Sequence, residues 1–180
     1  MTQYFAFLRA INVGGHNVKM EELCQILSEA GLTGVESYIA SGNFIFNSTE
    51  KVTKSLEAAL ETLLEQKLGY SVAAFIRTGE EIKSIQQFSC FTPEEIQASA
   101  ALNIAFLHEP LDLSRITMMK RWESDIDSFN YHQREIYWLC KKKQSESTFS
   151  NAVIERTLGV RSTLRGFNTI DKIVKKFISA

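Results

Sequence analysis

The sequence lacks any apolar run of the roughly 18 to 20 residues that a membrane-spanning helix needs. Its first residues, MTQYFAFLRA, also lack the basic segment, apolar stretch and cleavage site of a signal peptide. These two absences predict a cytoplasmic protein with no membrane partner. Its 180 residues, 44% of them hydrophobic, are enough to bury a core without disulfides or metals.

Cysteine is scarce, and its spacing excludes the usual cysteine chemistry. Cys24, Cys90 and Cys140 are odd in number, far apart, and match no metal-ligand or redox motif. We therefore expect idle thiols, no metal site and no cofactor.

A net positive charge, which attracts nucleic acids and membranes in bulk, is also missing, because the formal net charge is -1. The basic residues are nevertheless unevenly spread, since residues 141–180 carry nine Lys and Arg against three acids. A basic region of this kind suits an anionic partner, although solvated helix faces explain most such regions.

Apolar periodicity predicts the same order of elements in each half of the chain: strand, helix, strand, strand, helix, strand. QYFAFLRAI is typical of a strand, Asn17 is positioned to cap the next helix, and SGN joins two strands in a hairpin. This order predicts the α+β class, with two ferredoxin-like (βαββαβ) subdomains that have antiparallel sheets, plus a C-terminal helix. The predicted limits are 1–78 for the first subdomain, 79–100 for a helical connector in which Thr92 caps a helix, and 101–180 for the second subdomain.

Right-handed crossovers then predict which loops are neighbours in space. In the first half, the end of the first strand and the hairpin turn share one rim of the sheet, which brings together Asn12, Gly14, Gly15, Ser41, Gly42 and Asn43. In the second half, the same rule brings His108 and Glu109 toward the hairpin tip at residues 132–134. The two histidines match no ligand motif, and surface polar residues at strand ends are the simpler interpretation.

The stretch RAINVGGHN matches no complete phosphate-binding motif. It lacks the third glycine of a dinucleotide fingerprint and the Gly-Lys-Ser/Thr ending of a P-loop. A sharp turn from strand to helix is its simplest interpretation, and anion binding by the turn amides stays open. Arg9 lies on the same strand face as Phe5 and Phe7, so it is expected either in a salt bridge or in contact with an anion.

No catalytic group is predicted, and whether the protein is an enzyme stays open. IASGN lacks the flanking glycines of a nucleophile elbow. Glu123, Asp125 and Asp127 alternate, but a solvated turn explains them more simply than a carboxylate site does.

Three stretches, RAINVGGHNVKM, SYIASGNFIF and TLRGFNTIDKI, together resemble an uncharacterised, mostly bacterial family, domain of unknown function 1697 (DUF 1697). The resemblance implies two ferredoxin-like subdomains and no established reaction. Ala10 stands where the family usually has Gly, and Gly166 and Phe167 stand where it usually has Asn and Trp. The ligand-binding positions that the resemblance implies are Arg9, Asn12, Gly14, Gly15, Ser41, Gly42, Asn43, Thr163, Arg165, Asn168, Thr169 and Lys172.

Two functions are compatible with these patterns. The first is binding of a small anionic, phosphate-bearing ligand at the rim formed by the INVGG and ASGN turns, with residues 165–172 as a cationic partner. The alternative is binding of RNA or single-stranded nucleic acid through sheet aromatics. The candidate rings for that role are Phe5, Phe7, Tyr38, Phe44, Phe46 and Phe75. The oligomeric state stays open.

Overall fold

Two antiparallel sheets with the same strand order make up the fold of the protein. In the computed structural model, which describes residues 1–12, 14–39 and 42–178, the strands are β1 (Thr2–Arg9), β2 (Thr33–Ser37), β3 (Asn43–Ser48), β4 (Ala73–Thr78), β5 (Ala101–Phe106), β6 (Asp127–His132), β7 (Glu135–Cys140) and β8 (Thr163–Gly166). The helices are α1 (Met20–Glu29), α2 (Thr53–Leu68), α3 (Gly79–Gln87), α4 (Pro93–Gln97), α5 (Leu113–Lys120), α6 (Asn151–Leu158) and α7 (Phe167–Ile173). A π-helical segment, Val174–Ile178, extends α7.

The first sheet has the order β2-β3-β1-β4 and the second the order β6-β7-β5-β8. In each sheet the first strand of the repeat lies at the centre and pairs antiparallel with the third and the fourth. The predicted α+β class, with two ferredoxin-like repeats and a C-terminal helix, is therefore confirmed.

The chain divides into two units, residues 1–83 (unit 1) and residues 84–180 (unit 2). In unit 1, one face of β1 packs Tyr4, Ala6 and Leu8 against apolar side chains of α1 and α2. In unit 2, an aromatic core forms around Trp138 and Phe149. The domain limits at 78 and 101 stay predictions.

Three glutamates protect β4, the edge strand of unit 1. The outward N–H groups of Ala74 and Ile76 donate to Glu61 Oε1 (3.0 Å) and Glu57 Oε1 (2.8 Å), both on α2. The N–H of Thr78 donates to Glu81 Oε2 at 2.8 Å. Because these donors are occupied, β4 offers no open edge there for another strand to pair with.

Of the two helix caps predicted from the sequence, the structure has one. Thr92 caps α4 as predicted, through a reciprocal capping box with Glu95. Asn17 does not cap α1, which begins at Met20 after Lys19. The helix α7 begins at Phe167, so Asn168 and Thr169 lie within its first turn.

None of the helices in the part of the chain that the structure describes is long and apolar enough to span a membrane.

Candidate functional site

The loop between β1 and α1 is held at both ends by side chains of unit 1. We call residues 10–12 and 14–19 the glycine loop; Val13 lies outside the described residues. The Tyr70 hydroxyl donates to the Ile11 carbonyl at 2.7 Å, and the Val18 amide donates to Asn12 Oδ1 at 2.8 Å. The His16 ring stacks on Tyr70, with 3.9 Å between ring centroids. Asn12 thus has a structural task, which is to close the loop.

The two glycines at the tip of this loop adopt conformations that other residues rarely reach. Gly14 has φ of 63° and Gly15 has φ of 88°, and both are exposed. Neither backbone amide makes a hydrogen bond to any of the described residues. The loop therefore presents adjacent backbone donors to solvent.

The hairpin turn between β2 and β3 lies at the same end of the sheet as the glycine loop. Gly42 accepts a hydrogen bond from the Leu8 amide at 2.7 Å. A Cβ at this position would lie 3.1 Å from Leu8 Cβ and 3.4 Å from Ile11 Cγ2, so only glycine fits without displacement. Ser41, the other predicted site residue of this turn, lies outside the described residues.

Asn43 shapes the turn from inside the protein. Its side chain is buried, and Nδ2 donates to the Tyr38 and Ile39 carbonyls at 3.0 and 3.1 Å. These bonds hold Ile39 at φ of 52°, a left-handed conformation that strains a β-branched residue. Both of these hydrogen bonds of the Asn43 side-chain amide group are therefore made within the turn.

Ala10 is a second strained residue at this end of the sheet. Its φ of 66° lies in the left-handed region, where a Cβ costs roughly 1–2 kcal/mol. The family that the sequence resembles usually has Gly here, and the backbone conformation explains that preference.

Ala10→Gly is accordingly expected to stabilise unit 1 by about 0.5–1 kcal/mol, because relief of strain exceeds the extra chain entropy lost by glycine. Denaturant unfolding followed by circular dichroism measures the change. Ala98→Gly serves as the control, since Ala98 is exposed with an ordinary φ of -78° and glycine there brings no relief. Equal effects of the two substitutions would contradict the strain assigned to Ala10.

Arg9 occupies the last position of β1, next to the glycine loop. It is half-buried and pairs in register with Ala73 of β4. Its place on the strand brings a cationic side chain to the end of the sheet where the loop begins.

The predicted site residues of unit 2 lie on β8 and α7. Arg165 Nη1 donates to Thr163 Oγ1 and to the Leu164 carbonyl, both at 2.8 Å. Burial lowers the pKa of the Arg165 guanidinium to about 10, which leaves it charged at neutral pH. Asn168 and Lys172 are exposed on α7, and Thr169 is half-buried.

The two histidines of unit 2 contact different partners. The His132 ring stacks on Phe88 at 4.2 Å between centroids, and the His108 carbonyl accepts from Arg134 Nη1 at 3.5 Å. No cluster of three or more His, Cys, Asp or Glu suited to a metal ion occurs among the residues that the structure describes. The cysteines are free thiols, and burial raises the pKa of Cys90 to about 11.

The solvated-turn interpretation is wrong for Asp127, which is buried. Its Oδ1 accepts from Trp138 Nε1 at 2.7 Å, and its Oδ2 accepts from Ser147 Oγ at 2.9 Å and from Ser124 Oγ at 3.3 Å. Trp138 and Ser147 are 11 and 20 residues away from Asp127 in the sequence, so the alternation of acids alone did not reveal this role.

Asn103, a buried polar residue on β5, was not among the predicted site residues. Its signal was present, because it is a lone amide in the otherwise apolar strand ALNIAF.

Comparison with known proteins identifies the family of the chain. A solved structure with the same fold is that of a conserved bacterial protein, SP0830 from Streptococcus pneumoniae; it is 26% identical, each chain is covered to 97%, and the TM-score is 0.78. The comparison with curated proteins finds no match. The family model described as "Protein of unknown function (DUF1697)" matches residues 1–137, three quarters of the sequence, and the chain therefore belongs to the DUF1697 family.

Proposed function

We propose that the protein binds a small, phosphate-bearing anion at the glycine loop of unit 1. The observation that carries the proposal is the pair of exposed, unbonded amides at Gly14 and Gly15 in a loop locked at both ends. Successive backbone N–H groups in such conformations form concave sites for anions. We assign no reaction to this site.

The anchoring of the loop supports binding because it reduces the entropy lost when a ligand is held. Tyr70 and Asn12 fix the two flanks through hydrogen bonds of 2.7 and 2.8 Å. A loop that is ordered before binding loses less conformational freedom in the complex, so more of the contact energy appears as affinity.

The charged residues around the glycine loop limit where an anion can bind. Arg9 and Lys19 flank the glycines in sequence and supply positive charge. Glu21 and Glu22 occupy the first turn of α1, where they neutralise the positive end of the helix. The ligand is therefore assigned to the glycine amides and not to the helix end.

The nucleic-acid alternative has weaker support. Of the six candidate stacking rings, five are fully buried and Tyr38 is half-buried. A base can stack only on an exposed ring face. We therefore do not propose nucleic acid as the ligand.

The test is a titration of ¹⁵N-labelled protein with inorganic phosphate, pyrophosphate and a nucleoside monophosphate, against chloride at matched ionic strength. Saturable amide shifts at Gly14, Gly15 and His16 are expected. Gly15→Ala should weaken binding by about tenfold, because an added Cβ at this φ distorts the turn and one charge-assisted hydrogen bond is lost.

Gly31→Ala is the matched control for that substitution. Gly31 has φ of 89° and, like Gly15, has open space where a Cβ would stand, so both variants carry the same backbone strain. Only Gly15→Ala should affect the ligand. Equal weakening in both variants, or the absence of saturable shifts at Gly14 and Gly15 with all three phosphates, would exclude the proposed site.

A further inference from the structure

A cavity of about 260 Å³ lies in unit 2, at the start of β5 and the end of β8. Its lining includes Ile96, Leu102, Asn103, Gly166, Phe167 and Asn168. None of these side chains is ionisable. Ile96 and Asn168 are exposed, so the cavity opens to solvent between α4 and the beginning of α7.

Asn103 supplies a polar group in this cavity that has no protein partner. The residue is only 5% exposed, and its Nδ2 makes no hydrogen bond within the described part of the chain. A buried donor without an acceptor destabilises the folded state, and such groups are rare in native proteins. An acceptor supplied from outside the chain removes that cost.

In the first repeat, a tyrosine occupies the position equivalent to Asn103. Strand register equates Asn103, which pairs with Trp138 and Gly166, with Tyr4, which pairs with Phe46 and Thr78. In unit 1 the Tyr4 ring packs near Phe46, and its hydroxyl donates to a backbone carbonyl at 2.7 Å.

Unit 2 has a smaller residue at both equivalent positions. Asparagine replaces tyrosine on the central strand, and glycine replaces threonine on the edge strand. A Cβ built on Gly166 meets no atom within 4 Å, which confirms open space beside Asn103. The cavity therefore results from two small residues facing each other across β5 and β8.

We propose that this cavity is a second ligand site, which binds a small uncharged molecule through a carbonyl oxygen that accepts from Asn103 Nδ2. The absence of ionisable lining residues favours an uncharged ligand, since a buried ion without a counter-charge is strongly disfavoured. The apolar body of the ligand packs against Phe167 and Leu102. The site lies in unit 2 and does not depend on the glycine loop.

The volume limits the ligand to a small ring or a compound of similar size. A cavity of about 150 Å³ is sufficient for benzene in an engineered protein. The cavity at Asn103, of about 260 Å³ and open to solvent on one side, admits a ring that carries one polar substituent.

Three probes of similar shape separate the possible occupants: benzamide, which is neutral and has a carbonyl oxygen; benzoate, which is charged; and toluene, which has no acceptor. Binding to the full chain is followed by NMR, using the side-chain amide of Asn103 and the backbone amide of Gly166. We expect benzamide to give saturable shifts at both groups and to bind more tightly than benzoate or toluene.

Two variants test the assigned contacts. Asn103→Leu removes the donor and should weaken benzamide by about tenfold while leaving toluene unaffected. Gly166→Leu should abolish binding of benzamide, because the leucine side chain fills the cavity. The backbone tolerates this substitution, since Gly166 has φ of -64° and ψ of 142°, which suit any residue. Gly166→Ala, which leaves most of the space open, is the matched control.

Several results would overturn the proposal. One is that no probe produces saturable shifts in the wild-type protein, which would mean that water alone occupies the cavity. Another is that benzoate or toluene binds as tightly as benzamide. A third is that benzamide binds equally well to the wild-type protein and to Asn103→Leu.

Discussion

Glu57→Leu will destabilise unit 1 by about 3–5 kcal/mol, because it removes a carboxylate that lies beside a buried guanidinium. Glu57 Oε1 lies 3.7 Å from Arg77 Nη1, and the two residues are 4% and 0% exposed. The same oxygen accepts the outward N–H of Ile76 on the edge strand. Leucine therefore removes both a charge and an acceptor at a site that water does not reach.

Two control variants separate these contributions. Glu57→Gln keeps an oxygen for the Ile76 amide but removes the charge, so an intermediate loss is expected. Glu65→Leu changes an exposed glutamate on the same helix and should alter stability by less than about 0.5 kcal/mol.

The measurement is denaturant unfolding followed by circular dichroism, together with hydrogen exchange at Ile76. Both tryptophans of the chain, Trp122 and Trp138, belong to unit 2, so tryptophan fluorescence reports that unit separately. Glu57→Leu should accelerate exchange at Ile76. If it costs no more than Glu65→Leu, the buried pair does not stabilise unit 1 as argued.

Phe149→Ala is expected to destabilise unit 2 by about 3–5 kcal/mol, through lost burial and the cavity left behind. Phe149 is 2% exposed and its ring contacts three other aromatic rings. The centroid distances are 4.5 Å to Phe129, 4.9 Å to Trp138 in an edge-to-face arrangement, and 6.3 Å to Trp122. One ring thus joins residues from two strands and two connecting segments.

Tryptophan fluorescence checks this prediction directly, because both tryptophans neighbour Phe149. The unfolding midpoint should move to lower denaturant concentration, and the native emission of Phe149→Ala should shift as the two indoles repack. Phe149→Leu keeps most of the volume and should lose roughly a third as much stability. Equal losses in the two variants would show that packing volume is not the cause.

The two candidate sites differ in how far sequence reasoning reached them. Strand order and crossover handedness predicted that the glycine loop shares a rim with the hairpin turn, and the Gly42 carbonyl indeed accepts from the Leu8 amide. The cavity at Asn103 was not found, since its size depends on residues 96–103 and 166–168 folding together. A lone polar residue on an apolar strand was its only local signal.

The hydrogen-bond partners of polar side chains could also not be predicted from the sequence. Asn12 accepts from Val18, and Asn43 donates to two carbonyls of its own turn, so two amides assigned to a ligand have structural tasks. Asp127 was interpreted as solvated and is buried with three polar partners. Hydrogen bonds of this kind depend on distances of a few tenths of an ångström, which no local pattern encodes.

The sequence by itself determined the class, order and pairing of the elements, because alternating and helical apolar patterns specify which faces must be buried. It also determined that two turns meet at one rim of the first sheet, since the handedness of crossovers leaves few arrangements. Only the tertiary structure decided which polar groups are satisfied and which are left exposed or unpaired. That outcome depends on packing between distant segments, as with the open amides of Gly14 and Gly15 and the orphaned Nδ2 of Asn103.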